Sequence, residues 1–159
     1  MDLPESIGEV LDKYGVHGTT TKGTSMQPLF KTRRDMIILA RPTADLKKYD
    51  VVLYNAPYGK NIMHRIIRVL PDRYLIRGDN TYIDEYIPKE DIIAVMVAFN
   101  RKGKRYEVTS RAYRAYSAIW TEIYPIRRLI FKIRTFVLRA GSFVKRRMLA
   151  KSNGDNDGK

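Results

Sequence analysis

Short apolar runs separated by turn-forming residues occupy the middle of the chain. Six of these runs predict β-strands, at residues 36–40, 50–54, 61–70, 74–77, 92–99 and 105–109. Proline, glycine, asparagine and aspartate separate the runs, and the segment Asn100–Gly103 predicts a hairpin between the last two. Because no long helix intervenes, the pattern predicts a compact, mainly β, mostly antiparallel domain.

Helical spacing flanks these strands. Residues 4–14 predict a short amphipathic helix, and the polar stretch that follows, which contains His17, predicts a loop. From Arg111 onward apolar residues recur at helical intervals, and Pro125 separates two stripes: Tyr113, Tyr116, Trp120 and Ile123, then Ile126, Leu129, Ile130, Ile133, Val137, Ala140 and Val144. We therefore expect four segments: a helix and loop (1–22), a β domain (23–110), a C-terminal appendage of basic amphipathic helices (111–150) and a disordered tail (151–159).

The positive charge is concentrated in the C-terminal part of the chain. Of the net charge of +13, residues 1–100 contribute +1, and residues 101–159 contribute +12 from 16 basic and four acidic side chains. Such a block suits an anionic partner, either a membrane surface or a nucleic acid. The sequence contains no cysteine, which excludes a disulfide framework and a cysteine nucleophile, and two histidines are too few for a histidine-rich metal site. We expect no metal and no cofactor.

The N-terminal residues lack the pattern of a targeting segment. The opening Met-Asp-Leu-Pro-Glu is acidic and is not followed by an apolar core, and no run of 18 residues is free of charge. We therefore expect a cytoplasmic protein without a transmembrane helix that associates peripherally with the membrane. Four basic residues opposite the second apolar stripe are the candidates for contact with anionic headgroups: Arg128, Lys132, Arg139 and Arg146.

A patterned turn at Gly23–Pro28, with the sequence Gly-Thr-Ser-Met-Gln-Pro, contains the candidate nucleophile Ser25. Gly23 permits a sharp turn and Pro28 fixes the chain three residues after the hydroxyl, so Ser25 can present its oxygen and its own backbone N–H. Met26 and Pro28 are the candidate substrate-binding residues. The turn alone also fits an ordinary solvated loop.

Three further residues could complete a catalytic site with Ser25. His64 lies within a predicted strand on the face of Ile62 and Ile66, while Asp79 and Asp84 follow the next strand. Singly, these residues fit a packed histidine, a turn aspartate and a solvated carboxylate. Together they supply the nucleophile, the base and the orienting carboxylate that chemistry at a serine hydroxyl requires.

Four short sequence motifs, or boxes, occur in the same order as in a known family and include these candidate residues. The Gly-Thr-Ser-Met-Gln-Pro turn, Tyr49–Val52, His64–Ile66 and Gly78–Asn80 with Asp84 resemble the boxes of the type I signal peptidase and LexA-like serine peptidase superfamily, across residues 23–99. The resemblance implies the fold of that superfamily.

The same resemblance assigns roles to individual residues. It implies that Ser25 is the nucleophile and that His64 replaces the family's usual lysine base, as in the branch with the eukaryotic and archaeal signal peptidases. It places one acid at Asp79 and another five or six residues later, where Asp84 and Glu85 stand. We favour Asp84 for orienting His64 and Asp79 for shaping the site. The family also cleaves after a small residue, with a second small residue two positions upstream.

The sequence departs from that family at two points. Only 24 residues precede Ser25, and they contain no membrane anchor. In addition, Gly23 stands where many bacterial members carry a serine that donates a hydrogen bond to the oxyanion. The predicted function is a serine endopeptidase that processes a peptide or precursor protein with a Ser–His dyad or triad. The alternatives are a basic nucleic-acid-binding module and an inactive relative that retains the fold for binding.

Overall fold

The structure is a computed structural model that describes residues 6–56 and 59–133. It divides the chain into two compact units, one ending at Thr121 and the other beginning at Glu122. The candidate headgroup contacts Arg139 and Arg146, the part of the second apolar stripe beyond Ile133 and the predicted tail all lie outside the described residues.

The first unit is built on one antiparallel sheet. In the described residues its strands are β1 (Val16–Thr20), β2 (Met36–Ala40), β3 (Val51–Ala56), β4 (Lys60–Val69), β5 (Arg73–Arg77), β6 (Glu85–Pro88), β7 (Ile92–Arg101) and β8 (Lys104–Glu107). Their order is β1-β2-β7-β3-β4-β5-β6, and β8 pairs with β7 in the predicted hairpin. This arrangement confirms the predicted mainly β, mostly antiparallel architecture.

Strand β3 shows how the sheet divides the core. Its first four residues are all buried, because both faces of the sheet are covered at this point. Val51 and Leu53 pack in one apolar cluster with residues of the serine turn, whereas Val52 and Tyr54 pack in a second cluster with Ile66 and Ile76. The alternation of side chains along the strand thus joins two cores through one sheet.

Two helices belong with the sheet. Helix α1 (Ile7–Tyr14) begins at a capping box formed by Ser6 and Glu9 and ends at Gly15, whose φ is 77°. Helix α2 (Arg111–Glu122) buries Tyr113, Ser117 and Thr121. Since the first unit extends to Thr121, nearly all of α2 groups with the β domain.

Two of the strands lie where the sequence predicts no strand. Strand β1 has no buried residue, and in β6 only Ile87 is buried. Edge strands of this kind carry little of the apolar alternation that marks a strand in a sequence. A 3-10 turn, Lys89–Asp91, joins β6 to β7.

The described part of the second unit covers residues 122–133, and residues 124–133 are helical. Five large apolar side chains of this segment are between 47% and 61% exposed: Ile126, Leu129, Ile130, Phe131 and Ile133. Among the described residues, no helix is both long enough and apolar enough to cross a membrane.

Candidate active site

The serine turn is fixed by the apolar residues that follow Ser25. Met26, Leu29 and Phe30 are buried in the first core cluster, and the Phe30 N–H donates to the Met26 carbonyl at 3.2 Å. Gly23 opens the turn with a φ of 92°, a left-handed conformation that favours glycine. Ser25 itself is only partly buried. The turn therefore holds the hydroxyl at the edge of the core and in reach of solvent.

His64 lies in the middle of β4, opposite Val52 of β3. Its side chain is 6% exposed, and its neighbours two residues before and after, Ile62 and Ile66, both pack with the second core cluster. The predicted shared face of these three residues is thereby confirmed.

The carboxylate that contacts His64 belongs to Glu85. His64 Nδ1 lies 2.9 Å from Glu85 Oε1, and the Tyr54 hydroxyl donates to Glu85 Oε2 at 2.9 Å. The same Tyr54 oxygen is 3.2 Å from His64 Nδ1. Glu85 thus holds the histidine and the tyrosine with its two oxygens.

Asp84, the residue favoured for this role from the sequence, is not brought to His64. Its exposed carboxylate bonds to the guanidinium of Arg77 instead. The reason is the register of β6, which begins at Glu85 and pairs Glu85 with Ile76 and Ile87 with Tyr74. Glu85 shares the face of the buried Ile87, so the first strand residue reaches the histidine while the preceding residue does not.

Asp79 is buried and bonded to the residue after the histidine. Both of its carboxylate oxygens accept from Arg65, at 2.7 Å each, in a bidentate pair. Burial alone would lower the pKa of Arg65, but the adjacent Asp79 carboxylate and its hydrogen bonds raise that pKa well above its usual value. The Asp79 carboxylate is therefore bonded to Arg65, and the shaping role expected for Asp79 stays a prediction.

The segment Gly78–Asn80 touches both the serine and the histidine. A Cβ on Gly78 would stand 2.8 Å from the Ser25 carbonyl oxygen and 2.9 Å from His64 Nε2, so both atoms crowd the same point. The Asn80 N–H donates to that Ser25 carbonyl at 2.7 Å. Position 78 favours glycine because the serine turn and the imidazole approach the backbone too closely for a side chain.

The environment of His64 sets its protonation. Burial lowers the pKa of His64 below its ordinary value, against the opposing attraction of the Glu85 carboxylate and, more weakly, of Asp79. Burial and the bond to Glu85 raise the pKa of Tyr54, so its hydroxyl stays a donor. At neutral pH the imidazole is uncharged; a proton on Nδ1 bonds Glu85 and leaves the Nε2 lone pair on the side of Ser25.

A cleft of about 860 Å³ opens at these groups. Ser25, His64 and Glu85 line it together with Met26, whereas the other candidate substrate-binding residue, Pro28, is exposed and lies outside the lining. Further apolar walls come from α1, the core and the loop before β6: Ile7, Phe30, Ile37, Ile62, Met63 and Ile83.

Ser25 Oγ makes no hydrogen bond to His64 within the described part of the chain. Both residues nevertheless line the same cleft.

Sequence reasoning did not identify Tyr54 as a member of this site, and it noted Glu85 but favoured the preceding Asp84. Recognition of Tyr86-Ile87 as part of a strand would have indicated Glu85, because an inward Ile87 places the residue two positions earlier on the same face.

Comparison with protein-family models gives no match for this chain, and comparison with curated proteins likewise gives none.

Proposed function

We propose that the chain is a serine endopeptidase of the signal-peptidase-like class that processes a peptide or precursor protein. One observation carries the proposal: a serine turn, a buried histidine and a carboxylate on the far side of that histidine meet in one cleft. A hydroxyl, a neutral imidazole and an orienting carboxylate in this order are the parts that activate a serine.

The reaction would begin with proton transfer from Ser25 to His64 Nε2. As the Ser25 Oγ bonds to the substrate carbonyl carbon, the proton moves to the imidazole, and the backbone N–H of Ser25 can donate to the developing oxyanion. Collapse of the tetrahedral intermediate breaks the C–N bond, and His64 returns the proton to the leaving nitrogen. Water then hydrolyses the acyl ester on Ser25 with His64 again as the base.

Glu85 would stabilise the charged histidine during both steps. Its carboxylate lies 2.9 Å from Nδ1, on the side of the ring opposite to the proton transfer. The hydrogen bond from Tyr54 holds that carboxylate in place. The Glu85 charge thus favours the imidazolium that forms transiently, while burial keeps the resting imidazole neutral.

The cleft suits an extended peptide. Its polar wall is formed by residues 19–22, the end of β1 and the two residues after it, and its other wall contains residues 61–64 of β4. Strand β1 pairs only with β2 among the described strands, so the remaining edge of β1 can accept a peptide strand. The apolar lining favours apolar side chains next to the cleaved bond.

A peptide mixture of defined composition tests this proposal. The purified full chain should cleave a reproducible subset of the peptides, as read by mass spectrometry, and Ser25→Ala should abolish the cleavage because alanine has no oxygen to attack the carbonyl. Thr24→Ala is the matched control, since Thr24 is the exposed residue next to Ser25 and does not line the cleft. Equal product yields from wild type and Ser25→Ala would refute the assignment of Ser25 as nucleophile.

We also infer that the second unit binds an anionic membrane surface. Its described helix exposes apolar side chains at Ile126, Leu129 and Ile130, and Arg128 and Lys132 lie on a different face of the helix. An interfacial helix buries such an apolar face at the level of the headgroups while its basic residues meet anionic phosphates. This surface would hold the peptidase near substrates at the membrane.

A further inference from the structure

Arg65 joins the active site to helix α2. The residue is 0% exposed, and two N–H groups of its guanidinium donate to the Asp79 carboxylate. The remaining nitrogen, Nη1, donates to Ser117 Oγ at 2.9 Å and to the Tyr113 hydroxyl at 3.3 Å, both on α2. It also donates to the Tyr49 carbonyl at 2.9 Å. A buried guanidinium needs several acceptors of this kind, because an unsatisfied charge in the core is costly.

A second contact from α2 reaches the same segment directly. The Trp120 indole N–H donates to the main-chain carbonyl of Asp79 at 3.1 Å. The Tyr116 ring stacks on that indole, with centroids 6.0 Å apart and an angle of 11° between the planes. The carbonyl and the carboxylate of Asp79 are therefore both held from α2, one by Trp120 and the other through Arg65.

The residues on either side of Asp79 are those that touch the catalytic groups. Gly78 lies against the Ser25 carbonyl and His64 Nε2, and the Asn80 N–H donates to the Ser25 carbonyl at 2.7 Å. A displacement of Asp79 would move both neighbours, and with them the distance between the serine turn and the histidine.

The geometry points to α2 as a positioning element of the active site, with Trp120 and Ser117 as positioning residues. They hold the Gly78–Asn80 segment on Ser25 and His64 without touching the cleft, whose lining contains no α2 residue. This inference rests on the proposed peptidase function. It means that the C-terminal region predicted to be an appendage contributes to the catalytic geometry through its first helix.

Trp120→Phe in the full chain tests the inference. The substitution keeps a ring against Tyr116 and removes the N–H that bonds Asp79. A fluorophosphonate probe phosphonylates an activated serine with loss of fluoride, and its labelling rate at Ser25 should fall about five- to tenfold, the worth of roughly one hydrogen bond. For a cleaved peptide the same loss should appear in kcat with KM unchanged, because Trp120 does not line the cleft. Ile119→Ala, at an α2 position that is 62% exposed, should label like the wild type.

Amide hydrogen exchange at Asn80 reports the positioning without any need for activity. Exchange of this N–H should accelerate about five- to tenfold in Trp120→Phe and stay at the wild-type rate in Ile119→Ala. Unchanged exchange and unchanged labelling in Trp120→Phe would overturn the positioning role. If the wild type itself takes no label, the peptidase proposal fails, and the exchange rates alone then decide whether α2 holds the segment.

Discussion

At the scale of single residues, the site depends on what surrounds His64. Burial favours the neutral ring, and the Glu85 carboxylate 2.9 Å from Nδ1 favours the charged ring. The first effect is larger, so the resting imidazole is neutral; in the proposed mechanism the second effect would stabilise the ring once it takes a proton from Ser25. Tyr54 completes the arrangement because its hydroxyl bonds the second oxygen of Glu85.

The roles of two adjacent carboxylates can be separated by amide substitution. Glu85→Gln should lower kcat by about two orders of magnitude or more, because the amide cannot stabilise the imidazolium and can present the wrong hydrogen-bonding group to Nδ1. Asp84→Asn should stay within about twofold of the wild type, since Asp84 is exposed and bonds Arg77. Steady-state cleavage rates of the two variants decide the matter, and a larger loss in Asp84→Asn would return the orienting role to Asp84.

The pH dependence follows from the lowered pKa of His64. Protonated His64 cannot accept the serine proton, so kcat/KM should rise with pH through an apparent pKa below about 6.5 and reach a plateau near neutrality. The native state should lose stability as the pH falls below about 6.5, because the unfolded chain takes up the proton more readily than the buried ring. A rate profile still rising above pH 8 would contradict histidine as the base.

At the scale of structural elements, the strands with the strongest apolar runs could be predicted, and the edge strands could not. Strands β3 and β7 are buried by neighbours on both sides, and their sequences show it. Strand β6 holds four residues with only Ile87 buried, so its sequence carries too little pattern to fix its register. That register decides whether position 84 or 85 reaches the histidine, and the sequence alone favours Asp84, whose carboxylate contacts Arg77 in the structure.

The contacts of α2 likewise could not be predicted from the sequence. Tyr113 and Trp120 recur at helical spacing and predict an apolar stripe, and a stripe of this kind is usually covered by packing alone. Their bonds to Arg65 and to the Asp79 carbonyl depend on long-range pairing of chain segments that helical spacing does not reveal. By contrast, Ser25, His64 and Asp79 each stand in a short patterned box of the sequence, and Gly78 next to Asp79 lies against both Ser25 and His64.

Gly78, directly after β5, packs closely between the serine turn and His64 of β4, and this packing gives a prediction. A Cβ at this position would lie under 3.0 Å from the Ser25 carbonyl oxygen, His64 Nε2 and Thr81 Cγ2. Gly78→Ala should therefore lower kcat at least tenfold and destabilise the fold by about 1–3 kcal/mol, as overpacking does. Chemical denaturation and cleavage rates measure the two effects.

Gly18→Ala serves as the matched control for that substitution. Its added Cβ would meet Met36 Sδ at 3.5 Å, an ordinary contact, and position 18 is outside the cleft lining. We expect near wild-type activity. An equal loss in the two variants would show that the effect at Gly78 is not specific to the site.

At the scale of the whole molecule, charge and exposed apolar surface favour an interface with lipid. The net charge of +13 comes almost entirely from residues 101–159, and the described helix of the second unit exposes Ile126, Leu129 and Ile130. Insertion across the bilayer would place Arg128 and Lys132 in the apolar interior at about 2.5–3.5 kcal/mol each near its centre, whereas a helix lying flat avoids this cost.

Vesicle co-sedimentation tests the membrane interface. The full chain should bind vesicles that contain anionic lipid, bind neutral vesicles weakly, and dissociate at high salt. Arg128→Glu combined with Lys132→Glu should weaken binding by about 10- to 100-fold or more, since each basic residue contributes about 1 kcal/mol and its reversal adds repulsion.

The paired control reverses the two exposed lysines of the β7–β8 hairpin, Lys102→Glu with Lys104→Glu, which changes the net charge equally. Equal losses in the two double variants would indicate a nonspecific charge effect. Tight binding to DNA without binding to anionic vesicles would favour the nucleic-acid alternative.

Covalent labelling tests most directly whether Ser25 is a nucleophile that His64 activates. The full chain, incubated with a fluorophosphonate at neutral pH and digested, should carry the phosphonyl group on the peptide that contains Ser25. His64→Ala should reduce the labelling rate by at least a hundredfold, and Thr24→Ala should leave it unchanged. A wild-type chain that takes no label, or one that labels equally fast after His64→Ala, would contradict the account.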